Sequence, residues 1–203
     1  MAGAAEMSLP GILERADMDA TLTVNSLNSP VSDFIWQIFS DKEIWYVMYL
    51  VVAFFIFRNL GWKKGLVVFV SIILTVLCGD QLANLTKDMF QRLRPCMNGD
   101  MVAGGLHVLE GYSVKHCYGF YSAHAADALG FALCSSLGFT NDKSRNYGIY
   151  TKAVTVWALL VGISRVFVGK HFLGDVLVGF IVGALFALLF GKAASTIIRK
   201  KLS

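Results

Sequence analysis

Residues 172–190 read FLGDVLVGFIVGALFALLF, a run of 19 residues in which Asp175 is the one charged side chain. A membrane-spanning helix needs about 20 predominantly apolar residues. A carboxylate inside such a helix is costly in lipid, and its usual explanation is a function. The run therefore predicts a transmembrane helix that carries a functional acid close to its start.

The composition of the whole 203-residue chain points the same way. It is 56% hydrophobic and 16% charged, with a mean hydropathy of +0.59, whereas soluble domains are about 25% charged and 45–50% apolar. These values exclude a disordered chain, a collagen-like repeat and a nucleic-acid-binding tail. Four cysteines are too few for a scaffold built on disulfides.

Four further apolar runs precede the one at 172–190. Each of them alone is also compatible with a core helix of a soluble protein, but five such runs leave too little polar sequence to cover them. We predict an all-α, polytopic membrane helical bundle of five transmembrane helices. The runs cover 44–57, 66–78 with a helical pattern that continues towards 90, 128–139, 153–168 across Arg165, and 172–190.

Basic residues cluster in three segments that share one side of the membrane if every run spans it. The segments 58–64, 141–152 and 192–201 hold ten of the 18 basic residues, against one acid, Asp142. Short loops rich in lysine and arginine stay in the cytoplasm. We therefore expect an inner-membrane protein whose residues 1–43 and 95–121 face the periplasmic or lumenal side.

Residues 1–43 are predicted to form an N-terminal region distinct from the membrane domain at 44–203. They carry no basic start followed by a long apolar run, so we expect no signal peptide. The stretch 9–27 is weakly amphipathic, and 31–39 places apolar residues on one helical face. Asn28-Ser29-Pro30 separates the two, and both are expected to lie on the outer membrane surface as interfacial amphipathic helices.

Polar residues gather at three places near the predicted outer face. The first is a stripe at the end of the second apolar run, where steps of three and four residues correspond to one face of a helix. Five aligned polar residues favour a polar cavity over a solvated helix end. They are Asp80, Asn84, Lys87, Gln91 and Arg94, followed by Pro95.

The second cluster, Ser122-Ala123-His124, opens the third apolar run. Ser122 is a good N-cap, and the free N–H groups of a helix start form an anion site. Asp127 lies one turn after His124, where it either supports the histidine or is an exposed acid of the first turn. Both interpretations of Asp127 stay open.

The third cluster joins Ser164 and Arg165 to His171 and Asp175. His171 and Asp175 are four residues apart and share a helical face, so that the carboxylate can bond one ring nitrogen and leave the other free. No histidine or cysteine spacing typical of a metal site occurs. Lys87, Arg94 and Arg165 near His171 instead favour an oxyanion, most simply phosphate.

These three clusters resemble the three-part signature of the type 2 phosphatidic acid phosphatase superfamily. Lys87 is followed after six residues by Arg94-Pro95, then come Ser122-Ala123-His124, and then Ser164-Arg165, His171 and Asp175 with matching spacings. The resemblance covers roughly residues 30–190. It departs from the usual second part, Pro-Ser-Gly-His, because Tyr121 replaces the proline and Ala123 the glycine.

The resemblance implies a phosphatase mechanism without a metal or other cofactor. His171 would attack phosphorus, Asp175 would orient it, and His124 would protonate the leaving oxygen and then activate water. The remaining residues would bind the phosphoryl oxygens. This phosphate-binding set is Lys87, Arg94, Ser122, Ala123, Arg165 and, more weakly, Ser164, with possible support from Asp80, Asn84, Gln91 and Asp127.

The loop at 95–121 is expected to cover the site or contact the lipid headgroup. Cys96 and Cys117 lie at its two ends, either as a disulfide on the oxidising side or as two free thiols. Cys78 and Cys134 are predicted to be small core residues, and Gly179 and Gly183 to mark a helix-packing face.

The predicted partners are the bilayer and a phosphorylated lipid, with no nucleic acid. Undecaprenyl diphosphate is the favoured substrate, because a small enzyme with little mass outside the membrane suits a carrier lipid. A lipid A phosphatase is the next candidate, followed by phosphatidylglycerophosphate and phosphatidic acid phosphatases. Candidates of other classes are a vanadate-type haloperoxidase, whose relatives are soluble, and a non-catalytic membrane scaffold.

Overall fold

A computed structural model describes residues 9–109 and 117–202 of the chain. The described residues form α-helices and connecting loops with one isolated bridge between Leu93 and Tyr118, which confirms the predicted all-α class. Short 3-10 turns at Glu43–Trp45 and Pro95–Met97 join some of the helices. In chain order the helices are α1 (Leu9–Asn25), α2 (Pro30–Ser40), α3 (Tyr46–Phe90), α4 (Gly99–Ala103), α5 (Ala123–Phe139), α6 (Gly148–Phe167) and α7 (Leu173–Lys201).

Helix α3 reverses direction at Gly61, so its two arms correspond to the first two predicted apolar runs. Gly61 has φ 74° and ψ 171°, a conformation that glycine adopts without steric cost. The Phe57 and Phe69 ring centroids lie 5.7 Å apart, whereas 12 residues of straight helix would separate them by about 18 Å. The arms 46–60 and 62–90 therefore form a helical hairpin.

Helix α5 lies at the centre of the bundle and packs against α3, α6 and α7. Twelve of its 17 residues are buried, most of them alanine, glycine or serine. Small side chains let neighbouring helices approach closely. A Cβ atom on Gly179 would lie against the Ser122 carbonyl, and one on Gly183 against the Ala126 carbonyl, which agrees with the packing face predicted for these glycines.

Among the residues that the structure describes, three helical segments are long and apolar enough to cross a membrane, namely Glu43–Phe90, Gly148–Phe167 and Leu173–Lys201. Leu177, Ile181 and Leu185 are exposed along one face of α7, as expected of a surface in contact with lipid. The chain is thus an integral membrane protein. Helix α5 (17 residues) and the first arm of α3 (46–60) are shorter than a typical span, so the number of five transmembrane helices stays a prediction.

The three basic segments come together at one end of the bundle. A cleft there is lined by residues 60–64 and by Lys201 and Leu202, and Asn59 donates to the Tyr147 hydroxyl at 3.0 Å. The start of α5, the end of α6 and the start of α7 lie at the opposite end. The bundle therefore has a basic end and a second end where the predicted site residues gather.

Helices α1 and α2 occupy the two N-terminal stretches predicted to be helical. Ser29 caps α2 by accepting from Ser32 N at 3.1 Å. The apolar face of α2 is exposed at Val31 and Phe34, while Trp36 on its other side stacks on Phe167 of α6. The position of this exposed face at the membrane surface stays a prediction.

Candidate active site

The turn between α6 and α7 presents His171 to the centre of the site. The Lys170 and His171 N–H groups both donate to the Arg165 carbonyl, at 3.0 and 3.2 Å. Gly169 makes this sharp turn possible with φ 74°, where a residue with a side chain would be strained. His171 is 3% exposed, so its ring is fixed among protein groups.

The two ring nitrogens of His171 have different partners. Nδ1 lies 3.4 Å from Asp175 Oδ2, and the same oxygen accepts from Phe172 N at 3.1 Å. Nε2 lies 3.1 Å from Arg94 Nη1. Because a guanidinium can only donate, the assigned tautomer has its proton on Nδ1, facing Asp175, and the lone pair on Nε2.

Burial lowers the pKa of His171, and the positive charges of Arg94 and Arg165 lower it further, although Asp175 acts in the opposite direction. The imidazole is therefore neutral at neutral pH. A neutral imidazole that carries its lone pair on Nε2 is a competent nucleophile once an incoming phosphoryl group takes over the hydrogen bond from Arg94.

Arg94 reaches the site on an extended segment and not on the predicted helical stripe. Helix α3 ends at Phe90, and Gln91 has φ 47°. The chain then pairs with the segment before α5, as Arg94 N donates to Cys117 O at 2.9 Å and Gly119 N to Arg92 O at 2.8 Å. The stripe prediction was wrong beyond Lys87, because this turn is needed to bring the arginines back towards α7.

The other members of the stripe have unequal positions. Lys87 is half-buried in the last turn of α3 and lies within electrostatic reach of Arg94. Asn84 and Gln91 are exposed, and Asn84 Nδ2 donates to Asp80 Oδ2 at 3.4 Å. Of the three possible supporting residues in this stripe, the structure leaves Asn84 and Gln91 at the surface.

The start of α5 is tied directly to Asp175. Ser122 N donates to the Asp175 carbonyl at 3.0 Å, and Ser122 Oγ caps the helix by accepting from Ala125 N at 3.4 Å. Tyr121, at the position usual for proline, donates its hydroxyl proton to the Gly79 carbonyl at 2.7 Å. His124 lies within electrostatic reach of His171, Arg94 and Arg165, so the structure brings all three predicted clusters together.

Arg165 and Ser164 differ in what they offer an anion. Arg165 Nη1 donates to both the carbonyl and the hydroxyl oxygen of Ser40, at the end of α2. Ser164 is fully buried and donates its hydroxyl proton to the Val161 carbonyl at 2.7 Å. The guanidinium of Arg165 is therefore held in place by α2, whereas the Ser164 hydroxyl is engaged in a hydrogen bond within α6.

Asp127 contacts a lysine that the sequence did not single out. Its Oδ2 lies 3.4 Å from Lys42 Nζ, and its side chain is 15% exposed. Asp127 is thus neither an exposed acid nor hydrogen-bonded to His124 among the described residues. The pair sits between α5 and the connection that leads from α2 to α3.

An apolar cavity of about 410 Å³ adjoins this pair. Its walls come from both arms of α3 and from α5, and include Tyr49, Ile72 and Phe131. Lys42, His124 and Asp127 line its polar end. The cavity therefore joins His124 to an apolar space of the size typical of ligand pockets.

Besides Lys42, two residues close to His171 and Asp175 were missed from the sequence. Arg92 Nη1 lies 2.7 Å from Asp175 Oδ1, and Lys170 is 7% exposed beside His171. Burial lowers the pKa of Lys170 to about 8, and repulsion from Arg165 and Arg94 adds to this. In an extended segment, residues two apart share a side, so the Arg92-x-Arg94 spacing becomes a signal only once the end of α3 at Phe90 is known.

All four cysteines in the described structure are free thiols. Cys96 and Cys117 are unpaired in this structure, and a disulfide between them on the oxidising side stays a prediction. Cys134 is buried, as predicted, and its sulfur lies 3.4 Å from Ser71 Oγ. Residues 110–116 of the loop at 95–121 lie outside the described residues.

Comparison with known proteins gives consistent matches. A family model described as PAP2 superfamily matches residues 64–199. A lipid A 4'-phosphatase of Bacteroides thetaiotaomicron is 30% identical over 179 residues, which cover 88% of this chain and 76% of that protein. A lipid A 4'-phosphatase of Porphyromonas gingivalis is 32% identical over 165 residues, which cover 80% and 66%.

Two crystal structures share the fold. A transmembrane PAP2-type phosphatidylglycerolphosphate phosphatase from Bacillus subtilis matches with a TM-score of 0.72 and 21% identity, over 95% of this chain and 90% of that chain. Aquifex aeolicus LpxE matches with a TM-score of 0.63 and 22% identity, over 86% and 94%.

Proposed function

The chain belongs to the PAP2 superfamily and is a membrane lipid phosphatase, and on this premise we propose that it hydrolyses a phosphate monoester of a lipid A-type glycolipid. The two lipid A 4'-phosphatases similar to it support this substrate class. Undecaprenyl diphosphate, favoured from the sequence, gains no support from the relatives. It remains a substrate to be tested beside lipid A.

The observation that carries the proposal is the position of His124, which lies near the positive charges around His171 and also lines an apolar cavity. Arg94 and Lys170 surround His171, and His124 lines the cavity. In an in-line displacement, the leaving group departs on the side opposite the nucleophile. If His171 attacks and His124 protonates the leaving oxygen, the cavity is where the lipid part of the substrate lies.

The chemical steps follow from the positions of these groups. His171 Nε2 forms a bond to phosphorus while the bond from phosphorus to the lipid oxygen breaks, and His124 gives that oxygen a proton. Water, deprotonated by His124, then attacks the phosphohistidine and releases phosphate. Asp175 accepts the hydrogen bond from Nδ1–H of His171 and so keeps the ring oriented. The phosphoryl charge is stabilised by Lys87, Arg94, Arg165 and the N–H groups at the start of α5.

Phosphate release by the purified protein in detergent tests this assignment. The substrates are lipid A, undecaprenyl diphosphate, phosphatidylglycerophosphate and phosphatidic acid. We expect the highest kcat/KM for lipid A and no measurable turnover for His171→Ala. Wild-type turnover by His171→Ala would refute the proposed nucleophile, and a preference for undecaprenyl diphosphate would refute the substrate.

The arrangement in the membrane belongs to the same proposal. We place five spans in the inner membrane, with both arms of α3, α5, α6 and α7 crossing it and the site on the periplasmic side. Residues 1–43 then lie on the outer surface, and 44–203 form the phosphatase domain. This orientation is tested by replacing the native cysteines, introducing Lys63→Cys or Asn98→Cys alone, and measuring which variant an impermeant thiol reagent labels in intact spheroplasts. Labelling of Lys63→Cys in intact spheroplasts would contradict the orientation.

A further inference from the structure

Helix α1 turns a polar face towards the protein. Asp17, Thr21 and Asn25 follow one another every fourth residue, so they lie on one helical face. Thr21 and Asn25 are 0% and 1% exposed. Thr21 and Asn25 are thus buried although they are polar, Asp17 is partly buried, and each of the three side chains has a specific partner.

The partners of the stripe are backbone groups at the two ends of the turn that carries His171. Asn25 Nδ2 donates to the Phe167 carbonyl at 3.1 Å, where α6 ends. Thr21 Oγ1 accepts from Leu173 N at 2.9 Å and Asp17 Oδ1 from Gly174 N at 2.7 Å, where α7 begins. Helix α1 therefore fixes the turn from both sides.

Arg92 extends this connection to the carboxylate behind His171. Its Nη2 lies 2.7 Å from Asp17 Oδ2, and its Nη1 lies 2.7 Å from Asp175 Oδ1. Its guanidinium also stands 3.9 Å from the centre of the Phe172 ring. One planar guanidinium thus bridges two carboxylates, a geometry that the lysine ammonium does not reproduce.

We propose that Arg92 and Asp17 are positioning residues for the reaction, which act through Asp175 to hold His171 in line with the phosphorus atom. This inference rests on the proposed roles of His171 and Asp175. It makes α1 part of the active site and not only a helix on the membrane surface. Neither Arg92 nor Asp17 needs to touch the substrate.

Three charges of alternating sign lead to His171 through direct contacts. They are those of Asp17, Arg92 and Asp175. Loss of the Arg92 charge leaves Asp175 less neutralised, which favours the imidazolium and raises the pKa of His171. Loss of the Asp17 charge leaves Arg92 less neutralised, which disfavours the imidazolium and lowers the pKa of His171. Among the described residues, the other charged or titratable groups around His171 stay unchanged in these variants. They are Arg94 and Lys170 on the adjoining loops, Arg165 on α6 and His124 on α5.

The experiment measures the His171 titration in two ways. One is the acid limb of kcat/KM with a short-chain lipid phosphate. The other is the ring ¹⁵N signal of His171 in labelled protein in detergent, assigned with His171→Ala. The variants are Arg92→Met, Arg92→Lys and Asp17→Asn, with Asp19→Asn as the matched control because Asp19 is exposed on the same helix.

We expect the titration to move up by about half a pH unit or more in Arg92→Met and down in Asp17→Asn. Arg92→Lys should keep the titration near the wild-type value but lower kcat roughly tenfold through lost alignment. Asp19→Asn should match the wild type. Unchanged titrations in both Arg92→Met and Asp17→Asn, or shifts in the same direction, would overturn the inference.

The ¹⁵N titration does not depend on turnover. It therefore tests the positioning role even if none of the lipids is hydrolysed, an outcome that would refute the proposed function instead. Wild-type kcat in Arg92→Lys together with an unshifted titration in Arg92→Met would show that Arg92 has a purely structural role.

Discussion

Replacement of Gly183 by alanine tests how closely α5 and α7 must approach. A Cβ atom on Gly183 would lie less than 3.0 Å from the Ala126 carbonyl group, a separation that backbone atoms cannot relieve without moving the helices apart. The same contact surface ends at the hydrogen bond from Ser122 N to the Asp175 carbonyl, 3.0 Å long. A change in the middle of the bundle should therefore reach the active site.

The cost can be worked out from these two contacts. Insertion of a methyl group into a tightly packed region costs about 1–3 kcal/mol. A weakened hydrogen bond between Ser122 and Asp175 adds about 1 kcal/mol. For a chain of this size, about 3 kcal/mol corresponds to a fall in Tm of roughly 6–12 °C. Tryptophan-based scanning fluorimetry in detergent measures this fall, and phosphate release measures the accompanying loss of kcat.

Gly99→Ala is the matched control. Gly99 begins α4, and a Cβ atom placed there meets nothing within 4 Å, so its Tm and kcat should equal those of the wild type. A Gly183→Ala protein with the same Tm and kcat as Gly99→Ala would show that α5 and α7 have room to spare and that the packing argument is wrong.

Four further predictions have distinct expected results. His171 must be neutral to attack, and its pKa is lowered, so the acid limb of kcat/KM should lie below about 6.5; a limb above this value contradicts the assignment. Lys170 loses its charge as the pH rises through its pKa of about 8, so KM for the phosphorylated lipid should increase above that pH. Lys170→Arg keeps the charge and should make KM independent of pH in this range. Asn25→Leu deletes the side-chain bonds to His107, Val166 and Phe167 and should lower the unfolding free energy by about 2–4 kcal/mol, seen as a lower Tm, whereas an unchanged Tm refutes this. Lys42→Ala breaks the pair with Asp127 at the polar end of the cavity and should raise KM at constant kcat; a fall in kcat alone would contradict a binding role.

Helix positions followed from hydropathy wherever the helix faces lipid. The hairpin of α3 and the long α7 appear in the sequence as apolar runs, because lipid is their solvent on one side. The start of α5 is less evident from hydropathy, because this helix is enclosed by other helices and is built of small residues. Its place at the centre of the bundle depends on contacts that no local pattern specifies.

The His171–Asp175 pair was predictable because four residues of helix bring two side chains together. Arg92 was not, because its role depends on where the chain turns after Phe90. A helix continued to Arg94 would have pointed Arg92 away from the polar face. The left-handed conformation of Gln91 and the pairing with Cys117 and Gly119 place both arginines beside α7, and these contacts join residues distant in sequence.

The contact between α1 and the start of α7 has a consequence for how the protein is made. Asp17 and Gly174 are separated by 157 positions in the chain, so this contact can form only after synthesis has passed Gly174. Loops of this length close late and slowly. A nascent chain that already contains Lys87 and Arg94 still lacks the contacts by which α1 fixes the turn that carries His171. Hydrolytic competence should therefore appear only after α7 has been inserted and has docked on α1.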